Sequence, residues 1–257
     1  MTFLQGLLLF FAAILGGTLN SVAGGGSFFT FPALIFTGIG AITSNATSTV
    51  ALWPGSIASI GAYRRELAEQ QRGFLLLLIG TSLIGGVLGA IILLRTPEST
   101  FTSLIPYLLL GATLLFAISP YVTTRLRLRT IEKTTRISTI TLIIIAFVQF
   151  VIAIYGGYFG GGIGILMLAS LAFMGMDDIN KMNAVKTLLA TAINGAGVVT
   201  FVIAGKVLWP QALLMVVGAI IGGYGGAYYA RKIAPKWVRL FVIITGIMLT
   251  IYFFVHH

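Results

Sequence analysis

The sequence predicts an all-α integral membrane protein made of two inverted repeats of about five transmembrane segments each, with short broken helices after glycine triplets. Three observations carry this. The 257 residues are 58% hydrophobic and 9% charged, with a mean hydropathy of +1.03, far from the roughly half-apolar, quarter-charged composition of soluble domains. Apolar runs of membrane-crossing length follow one another along the whole chain. Blocks of sequence from the first half also recur in the second, in the same order.

A hydrocarbon core of about 30 Å is crossed by about 20 helical residues rising about 1.5 Å each. Apolar runs bounded by Gly, Pro or charge lie at 3–22, 28–40, 44–62, 73–94 and 102–120, then at 138–157, 163–175, 182–204, 208–230 and 237–255. The second and seventh, at 28–40 and 163–175, are short. They reach only about 20 Å as helices, so flanking chain must dip inward if they are to cross. The organisation expected is an N-terminal transmembrane repeat over 1–120, a basic cytoplasmic linker over 121–137 and a C-terminal transmembrane repeat over 138–257. No basic residue precedes Arg64, so Met1 to Val22 reads as a true span and not a cleaved signal. His256 and His257 read as a tag remnant and receive no role.

Gly24, Gly25 and Gly26 recur as Gly160, Gly161 and Gly162, each triplet following an apolar span and preceding a short one. Asn45, Ala46 and Thr49 recur as Asn183, Ala184 and Thr187, and IGGVLGA at Ile84 to Ala90 recurs as IGGYGGA at Ile221 to Ala227. An odd number of crossings per half inverts the second copy. If all ten runs cross, Arg64, Arg65 and Arg72 share one side with Arg125, Arg127, Arg129, Lys133, Arg136, Lys181, Arg231, Lys232, Lys236 and Arg239. The opposite side keeps only Arg95 and Lys206. Cytoplasmic loops collect Lys and Arg, so crossing and inversion are expected, with both termini outside the cytoplasm.

The formal charge of +10 is explained by such loops and by tolerance of anions. No soluble stretch is long enough for a nucleic-acid module. The expected partners are a small anionic substrate and the lipid bilayer, without nucleic acid; a homo-oligomer is left open. The chain has no cysteine and its two histidines are its last residues, and neither HExxH nor GxSxG occurs, so no catalytic residue, metal ligand or cofactor is expected. Glu66, Glu69, Glu98, Glu132, Asp177 and Asp178 fall in loops or at span ends, which argues against a carboxylate proton relay. Cation coupling through carbonyls and hydroxyls stays open.

The candidate binding site centres on the triplets. Three successive glycines break a helix, and a broken helix in lipid must face protein or a watery cavity. The short helix that follows points its N-terminal N–H groups into that space, where an anion is favoured. Asn20 and Ser27 lie near the first triplet, with Asn45, Thr47, Ser48 and Thr49 downstream; Tyr155 and Tyr158 flank the second, with Asn183, Lys186, Thr187 and Asn194 downstream. Neutral donors suit a small oxyanion that must later leave, although Ser, Thr and Asn also serve as helix glue or caps. Lys186 is the one charge inside its run, and either faces an anion or snorkels to the interface.

The pattern of Gly24 to Gly26 leading to Pro32, then SNATSTVALWPGSIASIGAYR, echoed by YFGGGIG and NAVKTLLATAINGAG, resembles the sulfite exporter TauE/SafE family over nearly the whole chain. The resemblance implies an inner-membrane permease of a prokaryote that moves small anions, with sulfite, sulfoacetate and other sulfur-containing organic acids as substrates. Pro32 has no proline counterpart, Leu168 standing near the equivalent place, so the two halves need not bind alike.

Overall fold

The computed structural model describes residues 1–22, 25–127, 139–174, 176, 178–229 and 235–256. These form eleven helices and no strand among the described residues: α1 (Phe3–Val22), α2 (Ser27–Phe36), α3 (Ala41–Ala62), α4 (Arg64–Ala68), α5 (Arg72–Arg95), α6 (Glu98–Arg127), α7 (Thr139–Tyr158), α8 (Ile163–Phe173), α9 (Ile179–Ile203), α10 (Trp209–Tyr229) and α11 (Pro235–His256). Each of the ten apolar runs became one helix. The exception is α4, a charged five-residue helix after α3 that apolar patterning does not mark. Helix α6 runs on to Arg127, so the start of the expected 121–137 linker continues that helix, and the remainder lies outside the described residues.

Large apolar side chains point outward on many helices. Phe3, Leu76, Ile84, Phe147, Ile203, Leu213 and Met248 are all exposed, an arrangement that only an apolar solvent tolerates over so much surface. Among the described residues, α1, α5 and α9 are long and apolar enough by themselves to cross a membrane, and several shorter apolar helices accompany them. The chain is an all-α, multi-pass membrane protein.

The first short helix returns alongside α1. Glycine 26 packs against Gly16 where α1 gives way to α2, and at the far end the Gln5 amide donates to the Thr37 carbonyl at 3.4 Å. Helix α2 therefore runs antiparallel to α1 and climbs back almost to its start. Helix α3 reverses again: Thr30 meets Ser48 at 2.6 Å, and Asn20 meets Ser56 at 3.0 Å.

Glycine seams zip the two halves of the chain together. A Cβ on Gly218 would run into the Phe10 carbonyl, and one on Gly222 into the Ile14 carbonyl, so α1 and α10 touch backbone to backbone and run parallel. Likewise Gly89 abuts the Ile154 carbonyl and Gly157 the Gly86 carbonyl, joining α5 to α7. Such contacts replace the hydrophobic drive that lipid removes. The pairings also exchange between halves. Helix α1 packs on α10 as α7 packs on α5; α3 packs on α10 as α9 packs on α5; α2 touches α11 as α8 touches α6. Helices α3 and α9 cross each other, as do α6 and α11. The α3–α9 crossing is antiparallel, because Trp53 meets Thr191 while Thr49 lies beside Gly197.

Candidate functional site

The two glycine breaks are built differently. At the second, Gly160 and Gly162 have φ of +78° and +73°, a region costly for any residue with a Cβ. The Tyr155 hydroxyl donates to the Gly161 carbonyl at 2.6 Å and holds the turn. Among the described residues the Gly161, Gly162 and Gly164 N–H groups have no partner, leaving donors at the start of α8. At the first break, Gly26 sits at φ −57°, an ordinary helical value. Its requirement is contact: a Cβ there would come within 2.5 Å of the Gly16 carbonyl oxygen. Gly25 accepts from the Phe28 N–H at 3.1 Å, and Gly24 lies outside the described residues.

The polar side chains fall into separate small groups. In the first half Asn20 donates to Ser56, Thr30 pairs with buried Ser48, and Thr49 donates to the Asn45 carbonyl at 2.8 Å. Buried Asn45 reaches across the halves and donates to the Tyr158 carbonyl at 3.2 Å. Asn20 and Tyr158 thus attach to α3 at Ser56 and Asn45, eleven positions or about 16 Å apart along the axis. Among the described residues, aromatic rings pack between the breaks. Phe31 packs edge-on to Phe159 at 5.8 Å between centroids and to Phe101 at 6.3 Å, and Phe101 meets Tyr158 at 5.5 Å.

In the second half, α9 begins at Ile179, so Lys186 lies about two turns inside the helix. Sequence placed it only about one turn in. Its stem runs along Gly164 in the first turn of α8, and its ammonium donates to the Asn183 side-chain oxygen at 3.0 Å. Lys186 is half-buried, and no carboxylate pairs with it among the described residues. Asn194 is half-buried, about two turns further along the same helix. Thr187 contributes its carbonyl to the Thr191 hydroxyl at 2.8 Å, while Ser27 opens α2 half-buried.

Sequence reasoning missed Thr30, Ser56 and the aromatic cluster, and named Tyr155 only as a flank of the second triplet. It also missed Trp53, whose indole N–H donates to the Thr191 carbonyl at 3.0 Å where α3 and α9 cross. A cavity of about 360 Å³ lies against α6, α7 and α8, lined by Tyr107, Leu108, Gly111, Leu114, Leu115, Ile118, Tyr155 and Leu166. It is apolar and opens beside exposed Tyr107, so it faces lipid and offers an anion nothing. Among the described residues no cluster of His, Asp or Glu could hold a metal ion.

A model of the sulfite exporter TauE/SafE family matches residues 9–253. The chain belongs to the TauE/SafE family. A probable membrane transporter protein, ORF9, of Sinorhizobium sp is 28% identical over 249 residues, 95% of this chain and 90% of its own. The probable membrane transporter protein YfcA of Escherichia coli K12 is 29% identical over 248 residues, 94% of this chain and 87% of its own. A probable membrane transporter protein of Haemophilus influenzae is 26% identical over 246 residues, 95% and 92% of the two chains. No solved structure matches the chain. Membership of TauE/SafE and the helical bundle together make this a multi-pass membrane transporter.

Proposed function

We propose that this TauE/SafE chain carries small anions, sulfite or sulfur-containing organic acids such as sulfoacetate, across a prokaryotic inner membrane by alternating access between two inverted halves. Lys186 is the observation that carries the anion: a half-buried ammonium two turns inside a membrane-crossing helix, held by a neutral amide and by no carboxylate among the described residues. A charge in that position is costly and is retained where it serves a substrate or ion path. The unpaired N–H groups at Gly161, Gly162 and Gly164 lie at the start of the short helix that flanks it.

The two-half mechanism is supported by the exchange of packing partners and by the antiparallel α3–α9 crossing, since a two-fold axis in the membrane plane reverses helix direction. The return of α2 almost to the level of Gln5 supports ten crossings and therefore termini outside the cytoplasm. The choice of sulfur compounds rests on the family description.

The second reading is an assembly protein with a sealed interior, and the Phe31, Phe101 and Phe159 cluster between the breaks favours it. Uptake of radiolabelled sulfite into proteoliposomes decides between them. Saturable uptake above that of protein-free vesicles, reduced by excess sulfoacetate, supports transport. Uptake at the vesicle background for every small oxyanion offered favours the assembly reading.

A further inference from the structure

The two halves of the chain meet at both ends of α3 through different chemistry. At the Glu98 end, Asn45 donates to the Tyr158 carbonyl at 3.2 Å and the Leu208 N–H donates to the Thr47 hydroxyl at 3.2 Å. Asn45 and Thr47 are buried, so parting the halves there strands donors and acceptors away from water. At the end that carries Arg64, Arg65 and Arg72, the closure is α4. It lies against α9, with Leu67 packed on the buried cluster that includes Met182 and Val185. Just beyond it the Glu69 carboxylate meets the Lys181 ammonium at 2.7 Å, with side chains 58% and 36% exposed. An exposed ion pair of this kind is weak and screened by salt. The basic end is therefore the end that opens at lower cost.

We infer that Glu69 and Lys181 latch α4 as a lid over the basic end of the interior, and that Lys181 is an anion-binding residue which Glu69 occupies while the lid is shut. Helix α4 has no counterpart in the other half: the matching connection from α9 to α10 is a tight turn with Gly205 at φ +64°. Lys181 stands five positions before Lys186 on α9, about 7.5 Å along the axis. Asn183, which holds the Lys186 ammonium, lies between them. Five positions turn about 140° around a helix, so the two side chains leave α9 on different sides, Lys181 toward Glu69 and Lys186 along Gly164 of α8. A small oxyanion that reaches Lys181 competes there with a tethered carboxylate. This rests on the anion-transport reading for its ligand, but the lid itself does not.

The chain has no cysteine, which gives a clean test. A Glu69→Cys, Lys181→Cys protein in proteoliposomes is treated with a short-spacer bis-methanethiosulfonate, and sulfite uptake is read before treatment, after it and after reduction. Uptake that falls to background on cross-linking and returns on reduction supports the latch. Full uptake in the cross-linked protein, or failure of the two cysteines to link, overturns it. A second measurement needs no transport. In a protein carrying Asn194→Cys as reporter, Glu69→Gln is expected to speed maleimide labelling about two- to fivefold, the range for loss of an exposed ion pair. Glu69→Lys combined with Lys181→Glu is expected to slow it again. An unchanged labelling rate overturns the lid. Faster labelling without any uptake in the parent protein leaves the lid standing and removes the transport reading instead.

Discussion

Replacing Lys186 by Gln separates a binding role from a structural one. The ammonium lies 3.0 Å from the Asn183 oxygen and has no carboxylate partner among the described residues. A monoanion held about 4 Å away gains about 4 kcal/mol at an effective dielectric of about 20. Part of that is lost to desolvation, which leaves about 1.5–3 kcal/mol for a charge-assisted contact. The expected effect is a rise of about 10- to 150-fold in the apparent KM for the transported anion. Lys186→Arg keeps the charge and is expected to stay within about tenfold of the parent. Stability moves the other way. Removing Lys186 orphans no buried carboxylate, so the Gln protein is expected to insert normally and to unfold in detergent at the parent temperature or above it. The assay is uptake in proteoliposomes across a range of sulfite concentrations, paired with thermal unfolding of the same preparation. Full uptake at unchanged KM refutes the anion role. A clear loss of thermal stability with uptake intact shows that Lys186 holds the fold and nothing else.

Three more outcomes are expected. Gly89→Ala drives a Cβ into the Ile154 carbonyl and should cost about 1–3 kcal/mol; Gly80→Ala, with no atom within 4 Å of the new Cβ, should be neutral or stabilising by up to about 1 kcal/mol. Thermal unfolding of the two proteins in one detergent checks the contrast. Trp53→Phe removes the indole bond to the Thr191 carbonyl and should cost about 0.5–1.5 kcal/mol, measured the same way. Tyr155→Phe releases the Gly161 carbonyl and should speed amide exchange at Gly160 to Gly164 while the seam at Gly89 stays protected, read by hydrogen-exchange mass spectrometry.

The helices were legible in the sequence because lipid imposes so strict a rule: every crossing must be helical and apolar, so its edges show as charge, Pro or Gly. Helix α4 escaped because RRELA is short and charged, and only its Leu67 reaches the buried cluster. The start of α9 was read three residues late, since Ile179 to Lys181 look like loop until Asp178 is seen capping the Asn180 N–H at 2.8 Å. The glycine triplets were visible as breaks, but not their difference. Whether a glycine serves a left-handed turn, as Gly160 and Gly162 do, or a backbone contact, as Gly26 does, depends on the helix opposite. The same holds for the polar residues. Asn20 and Asn45 look alike in sequence, yet one meets Ser56 within its own half and the other meets Tyr158 in the second. Phe31, Phe101 and Phe159 converge from three parts of a chain with 18 phenylalanines, and no local pattern marks them.

The recurrence that matches Asn45 with Asn183 also matches Trp53 with Thr191, and those two residues, 138 apart, touch where α3 and α9 cross. On the duplicated reading, that contact lies on the axis relating the halves. The same recurrence sets Ser48 opposite Lys186 and Ser56 opposite Asn194. The first-half members are satisfied within their half, Ser48 by Thr30 and Ser56 by Asn20. The second-half members are a cation held by the Asn183 amide and by no carboxylate among the described residues, and a half-buried amide. A cation inside a bilayer is costly. On the transport reading proposed above, it makes the second half the place where an anionic guest gains most. A symmetric scaffold can exchange its two packings at little net cost, and an asymmetric set of donors then gives the guest a different affinity in each. That difference is the condition for a bound anion to shift the equilibrium between them.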